Sequence, residues 1–173
     1  FTKSKEKNEI SGDGSNINTK TAEEILEEEK EDMIQGVEEL SSTSVKEVMI
    51  PRIDVDFINV DTDFDEVTKK ISESGHSRFP VYKESIDNVI GVLYVKDLIK
   101  CYFNKEQPNL EKLIRRAYFV PETKRIDSLL REFKRRHIHI AMAVDEYGGL
   151  SGIVCMEDII EEIVGDIQDE FDK

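Results

Sequence analysis

The feature that most constrains this sequence is a short corner motif that occurs twice. The run GIVCMED at residues 152–158 opens on a glycine, continues through apolar residues and ends on an aspartate, and the run GVLYVKD at residues 91–97 repeats that pattern 61 positions earlier. Ile159, Ile160 and Ile163 follow the later run at helical spacing, so each run predicts a buried strand that feeds a helix. The aspartate then falls in the first helical turn, where the helix dipole favours an acid and where small ligands often dock.

The rest of the chain repeats around these two corners. In each half the pattern predicts the order β-α-β-β-α, with equivalent positions 61 or 62 residues apart. The second half carries the turn DEYGG at residues 145–149, whose Gly-Gly pair is a strong hairpin signal. Neither half is large enough to cover both faces of its own sheet. We therefore predict an α+β fold of two units that pack sheet against sheet around a pseudo-two-fold axis, with two equivalent clefts between them.

The predicted organisation has five parts. Residues 1–20 contain almost no apolar side chains, which predicts a disordered linker. Residues 21–44 place apolar side chains at intervals of three and four among many glutamates, which predicts an acidic amphipathic helix with Thr21 as N-cap and Glu24 completing a capping box. The remaining parts are a first unit at 45–103, a linker at 104–115, and a second unit with an acidic C-terminal helix at 116–173.

Charge and composition argue against several classes of partner. Charged residues make up 36% of the chain and the formal net charge is −14, which disfavours nucleic acid and anionic membrane surfaces. No apolar run has the length needed to span a bilayer, and the first residues do not resemble a signal peptide. Cys101 and Cys155 have neither metal-ligand nor disulfide-scaffold spacing, so we expect two reduced thiols.

The sequence offers little support for an enzyme or a metal site. It holds no Ser-His-Asp or Cys-His arrangement with supporting context, and no glycine loop of the kind that cradles phosphates. Glu157 and Asp158 are adjacent, so on a helix their side chains diverge by about 100°, a poor geometry for paired acid–base chemistry. His76, His137 and His139 match no metal-site spacing. We therefore predict that the chain is not an enzyme, with no catalytic residues and no metal ligands.

Three motifs, in this order, resemble those of one protein family. They are VMIPR at residues 48–52, GHSRFPVY at residues 75–82, and the DEYGG turn that precedes the GIVCMED corner. Together with the long acidic helix before them, they make the chain similar to the tandem CBS domains of CorC/HlyC-type, haemolysin-like proteins, which are relatives of the CNNM magnesium transporters. The likeness extends from about residue 23 to residue 171.

This resemblance implies both a fold and a function. The fold is a tandem CBS pair preceded by an amphipathic helix. The function is that of a regulatory module that binds an adenine nucleotide, ATP or AMP, with or without Mg²⁺, and that regulates magnesium and cobalt transport. Such modules form homodimers and act on the membrane domain of their own parent chain. We therefore expect a soluble fragment of a membrane protein, located on the cytoplasmic face of the membrane.

The resemblance also implies where the nucleotide binds. In related pairs the aspartate corner of one unit faces a strand start of the other, and an adenosine ligand needs an apolar slot, a carboxylate for the ribose hydroxyls, and donors or cations for phosphate. The nucleotide-binding residues predicted for the main cleft are Ile50, His76, Ser77, Arg78, Phe79, Pro80, Cys155 and Asp158. Those predicted for a second, weaker cleft are Tyr94, Asp97, Val120, His139, Ile140 and Ala141.

Two departures from the family pattern decide between these clefts. Relatives often carry Thr or Ser three residues before the aspartate, where this chain has Cys155 and Tyr94. A thiol is a weak donor, and we expect the tyrosine ring to fill its own cleft, so the ligand is placed at Asp158 with weaker affinity than a Thr-bearing relative would show. Two alternatives stay open. The aspartates serve only as helix caps, or the chain is a nucleotide-free structural dimerisation module of the same membrane protein.

Overall fold

The structure is a computed structural model of the chain, and it describes residues 20–165. These residues form two small sheets with flanking helices, which confirms the predicted α+β fold. The linker predicted for residues 1–20 lies outside the described residues except for Lys20, as does the end of the predicted acidic helix. Within residues 20–165, no helix combines the length and the apolar character that a membrane crossing requires.

The helices and strands follow the predicted order in both units. Helix α1 (Ala22–Glu39) comes first. The first unit contains α2 (Val45–Val48), β1 (Ile50–Pro51), β2 (Ile58–Asn59), α3 (Phe64–Ser74), β3 (Arg78–Lys83), β4 (Ser85–Tyr94) and α4 (Val95–Phe103), with a 3-10 turn at Arg52–Asp54. The short helix α5 (Leu110–Leu113) connects the units. The second unit contains β5 (Phe119–Pro121), α6 (Ile126–Arg136), β6 (Ile140–Val144), β7 (Leu150–Cys155) and α7 (Met156–Val164).

The two sheets share one pattern of pairing, and each also receives a segment from outside its own unit. In the first sheet β2 runs parallel to β3, and β3 runs antiparallel to β4. In the second sheet β5 runs parallel to β6, and β6 runs antiparallel to β7. Strand β1 pairs with β7 of the second unit, with Ile50 opposite Ile153. Arg115, which precedes the second unit, forms an antiparallel bridge to Val92 of β4. The sheet of each unit is thus extended by a segment that leads into the other unit: β1 pairs with the second sheet, and Arg115 pairs with the first.

Close backbone approach explains why both corner motifs open on a glycine. A Cβ atom added to Gly152 would lie 2.2 Å from the backbone oxygen of Ile50, and one added to Gly91 would lie 2.7 Å from the backbone oxygen of Arg115. Both separations are shorter than a carbon and an oxygen atom tolerate, so a side chain at either position would push the crossing segment off the strand. The two glycines therefore allow β1 to pair with β7 and Arg115 to pair with β4.

An apolar cluster between the two sheets holds the units together. Its members are Phe57, Val89 and Val92 from the first unit, and Ile140, Met142, Leu150 and Ile153 from the second. Each unit also buries a separate core between its sheet and its helices, with Phe79 central in the first and Phe133 in the second. This arrangement agrees with the predicted packing of sheet against sheet, since neither sheet has enough cover of its own.

The N-terminal helix packs on the second unit of its own chain. Its capping box forms as predicted, with the Glu24 amide donating to Thr21 Oγ1 at 3.2 Å and the Thr21 amide donating to Glu24 Oε2 at 2.8 Å. Gly36 is buried against α7, where an added Cβ would lie 2.7 Å from the backbone oxygen of Glu162. Helix α1 thus packs closely on α7 at Gly36.

Substituting Gly152 tests the crossing of β1 over β7. Gly152→Ala should lower the free energy of unfolding by about 1–3 kcal/mol, because the new methyl group meets the Ile50 backbone and not a flexible side chain. Urea unfolding measures the effect, with Ser151→Ala on the same strand as the matched control. An unchanged unfolding midpoint for Gly152→Ala would contradict the close approach of Gly152 to the Ile50 backbone.

Candidate functional site

A cavity of about 340 Å³ lies where the first unit meets the corner of the second. Its walls come from the segment after β1, the start of β3, and the junction of β7 with α7. The residues that line it are Ile50, Asp54, Val55, Asp56, Gly75, His76, Ser77, Arg78, Pro80, Ile153, Cys155, Glu157 and Asp158. It is therefore built by both units, and the crossing of β1 brings Ile50 to it.

Most of the residues predicted for the main cleft line this cavity together. The exception is Phe79, which is fully buried in the core of the first unit. Successive residues of a strand face opposite sides of the sheet, so Phe79 points away while Arg78 and Pro80 point in. The contacts of these residues with a nucleotide remain a prediction. The lining residues that the sequence did not single out for the cleft are Asp54, Val55, Asp56, Gly75, Ile153 and Glu157.

Asp158 is both a helix cap and an acid at the cavity wall. Its Oδ2 atom accepts a hydrogen bond from the Cys155 amide at 2.7 Å, which satisfies an amide at the start of α7. Its Oδ1 atom accepts no hydrogen bond from any residue between 20 and 165. Burial raises the pKa of Asp158, since a charge there is poorly solvated. One carboxylate oxygen is thus available to a ligand while the other completes the helix.

Arg78 lies between the two clefts. Its Nη1 atom lies 3.4 Å from Glu157 Oε1, its Nη2 atom lies 3.3 Å from His139 Nδ1, and its Cζ atom lies 5.7 Å from the centre of the Tyr94 ring. Its Nε atom is buried and has no hydrogen-bond partner within the described residues. A buried donor without a partner is costly, while the rest of the guanidinium belongs to a side chain that lines the cavity.

Carboxylates outnumber cations around the cavity. Asp54, Asp56, Glu157 and Asp158 all line it. His76 is held by Asp56, with Nε2 and Oδ2 3.1 Å apart. The described residues contain no group of three or more His, Cys, Asp or Glu side chains arranged to hold a metal ion.

The thiol of Cys155 stays protonated beside these acids. Burial, with the charges of Asp158 and Glu157 adding to it, raises the pKa of Cys155 to about 12. At neutral pH the group is therefore a neutral thiol and a weak hydrogen-bond donor.

The second predicted cleft is arranged differently. Both oxygens of Asp97 accept hydrogen bonds from Arg115, from Nε at 2.8 Å and from Nη2 at 2.9 Å. These bonds hold the pKa of Asp97 below its ordinary value. The Arg115 guanidinium also lies over the Tyr94 ring, 4.3 Å from its centre. A nucleotide here would have to compete with an arginine of the same chain.

The other residues predicted for the second cleft are dispersed. Val120 and Ala141 belong to the core of the second unit, and Ile140 belongs to the cluster between the sheets. His139 is half-exposed, and its Nδ1 atom lies 3.3 Å from Arg78 Nη2. Arg115 was not among the predicted site residues, because the sequence placed it in a linker. Its contact with Asp97 depends on a crossing that the local pattern does not reveal.

Comparisons with known proteins identify what the chain is similar to. The family model for the CBS domain matches residues 45–104 and 110–165. The chain is 47% identical over 148 residues to Hemolysin C of Brachyspira hyodysenteriae, in a match that covers 86% of this chain and 54% of that protein. It is 44% identical over 151 residues to the magnesium and cobalt efflux protein CorC of Pasteurella multocida (strain Pm70), covering 87% of this chain and 50% of that protein. The chain spans about half the length of these curated relatives.

A solved structure with a ligand shares the fold. It is the CBS domain of the bacterial CNNM/CorC family Mg²⁺ transporter in complex with ATP. The TM-score is 0.74 and the sequence identity is 41%, over 80% of this chain and 99% of that one. These similarities confirm the resemblance that the motifs indicated.

Asp97→Asn should make stability less dependent on pH in acid. Because Arg115 lowers the pKa of Asp97 in the folded state, the ionised pair stabilises the fold at pH values well above the ordinary value of 3.8. That stabilisation is lost as the pH falls through the lowered pKa of the folded protein. Urea unfolding at several pH values from about 6 down to about 3 should show the wild type losing more stability than the variant. Parallel curves for the two proteins would contradict the assignment.

Proposed function

Because the chain belongs to the CBS domain family, in the form found in CNNM/CorC family Mg²⁺ transporters, we propose that it is a nucleotide-sensing regulatory module. Its ligand is an adenine nucleotide, ATP or AMP, bound in the Asp158 cleft. Its output is control of divalent cation transport by a longer protein, and it catalyses no reaction on the nucleotide. The proposal rests on one observation above all. Among the described residues, the same cavity is lined by Asp158, whose Oδ1 atom accepts no hydrogen bond, and by the cationic side chain of Arg78.

The cavity has the three kinds of surface that a nucleotide requires. Ile50, Pro80 and Ile153 provide an apolar wall for the base. Asp158 can accept hydrogen bonds from ribose hydroxyls through its open oxygen. Arg78, which lines the cavity, provides a cation for phosphate. The volume of about 340 Å³ also lies within the range of small-molecule sites.

The surrounding acids favour a nucleotide whose charge is reduced. A bare triphosphate would meet Asp54, Asp56 and Glu157 as well as the one arginine. Like charges in a partly enclosed site repel each other strongly, so we propose that ATP binds with Mg²⁺. AMP carries less charge and is the form that needs no cation.

Helix α7 connects the cavity to the N-terminal helix. Asp158 lies in its first turn, and the contact with Gly36 of α1 lies near its end, at Glu162 and Ile163. A ligand held by Asp158 shifts how α7 packs on α1 if it binds one arrangement of these helices better than another. We propose this route as the output toward the membrane domain of the parent chain, which places the module on the cytoplasmic face.

Apolar side chains on equivalent helices support a homodimer. On α4, Tyr102 is 72% exposed and Phe103 is 76% exposed, and Ile99 is half-exposed beside them. On α7, Ile160 and Val164 are also exposed. Exposed apolar groups on helices related by the pseudo-two-fold axis suit a second copy of the same surface.

The alternative is a structural dimerisation module that binds no nucleotide. The contact of Arg115 with Asp97 and Tyr94 favours it for the second cleft. In the first cleft, Asp158 Oδ1 accepts no hydrogen bond from residues 20–165 and Arg78 lines the cavity, which argues against this alternative there.

Asp158→Asn distinguishes a ligand contact from a helix cap. The amide oxygen of asparagine can still accept from the Cys155 amide, so the fold should remain, while loss of the carboxylate should weaken ATP binding by about 10–100-fold. Calorimetric titration with ATP, with and without Mg²⁺, measures the affinity, and thermal unfolding checks the fold.

The matched control is Asp127→Asn, which changes an acid in the first turn of α6, outside the residues that line the cavity. It should bind ATP as the wild type does. Nucleotide binding that is unchanged in Asp158→Asn, or undetectable in the wild type at millimolar ATP and AMP, would refute the proposed function.

A further inference from the structure

We propose that Arg115 is a built-in occupant of the second cleft, so that each chain takes one nucleotide and keeps a latent second adenosine site closed. This inference rests on the proposed function, because it concerns the same chemistry at the equivalent corner. The difference in nucleotide binding between the two clefts is then due to one side chain, at a position that the sequence predicts to be part of a linker.

The two crossing segments occupy equivalent positions. Val92 of β4 and Ile153 of β7 are equivalent residues of the two corners, 61 positions apart. Ile153 pairs with Ile50, and Val92 pairs with Arg115. Each pairing lies over the glycine that opens the corner motif. The position that contributes an isoleucine to the first cleft therefore contributes an arginine to the second.

Arg115 uses the groups that a nucleotide would need there. It donates to both oxygens of Asp97, whereas the equivalent Asp158 keeps Oδ1 open among the described residues. Its planar guanidinium lies over the Tyr94 ring, 4.3 Å from the centre, where an adenine base would otherwise stack. One side chain thus takes the place of both the ribose hydroxyls and the base.

The backbone holds this side chain in position. The Arg115 amide donates to the Val92 oxygen at 2.9 Å, and the Val92 amide donates to the Arg115 oxygen at 2.9 Å. Ile114 packs against the core of the first unit beside it. The planar guanidinium meets both oxygens of Asp97, so an external ligand must displace a contact of two hydrogen bonds.

Arg115→Ile copies the residue of the first cleft into the second and removes the occupant. We expect calorimetry with ATP and Mg²⁺ to give one nucleotide per chain for the wild type and two for Arg115→Ile. In the Asp158→Asn background, where the first cleft is weakened, Arg115→Ile should restore binding of one nucleotide at least tenfold more tightly than Asp158→Asn alone. Adding Asp97→Asn should remove that restored binding. Arg116→Ile, which changes the exposed neighbour of Arg115, is the matched control and should leave one site.

The outcomes separate this inference from the proposed function. A folded Arg115→Ile protein that still binds one nucleotide, or a wild type that already binds two, overturns the inference while the proposed function stands. A wild type that binds none overturns the proposed function. If thermal unfolding shows that Arg115→Ile does not fold, Arg115→Lys is judged by the same criterion, because lysine keeps the charge but loses the planar, two-pronged contact.

Discussion

The structure depends on the close passage of one backbone segment over a glycine of the other unit. Ile50 crosses the strand at Gly152, and Arg115 crosses the strand at Gly91, both at separations that no side chain would allow. These crossings join the two units through backbone contacts, and the cluster between the sheets joins them through side-chain contacts. Neither unit can bury its sheet alone, so the exchange of segments and the shared apolar cluster make the pair a single body.

The same crossings form the clefts and give them different linings. Each cleft takes its aspartate corner from one unit and a wall from the segment that crosses it. In the first cleft the crossing residue is Ile50, which leaves an apolar wall and an Asp158 Oδ1 atom without a hydrogen-bond partner in residues 20–165. In the second it is Arg115, which neutralises Asp97 and covers Tyr94. Arg78 contacts Glu157 of the first cleft and lies 5.7 Å from the centre of the Tyr94 ring of the second, so both clefts share this side chain.

Much of this architecture could be predicted from the sequence, because each helix and strand pattern occurs twice in a duplicated sequence. The periodicities at equivalent offsets predicted the fold, and the capping box of α1 was visible in Thr21 and Glu24 alone. Seven residues predicted for the main cleft line one cavity, because the family motifs mark the strand starts and the corner. Arg115 and the acids Asp54 and Asp56 were not predicted as site residues, since their roles come from segments that cross between units and leave no local periodicity. At Asp158 the helix-cap and ligand hypotheses are compatible, since Oδ2 accepts from the Cys155 amide and Oδ1 accepts no hydrogen bond from a described residue.

The most direct test of nucleotide binding at Asp158 is a crystal structure of the chain grown with ATP and Mg²⁺. We expect nucleotide density against Asp158, with the base on the Ile50 wall and Arg115 still paired to Asp97. Density against Asp97 with Arg115 displaced, or two empty clefts at saturating nucleotide, would contradict it.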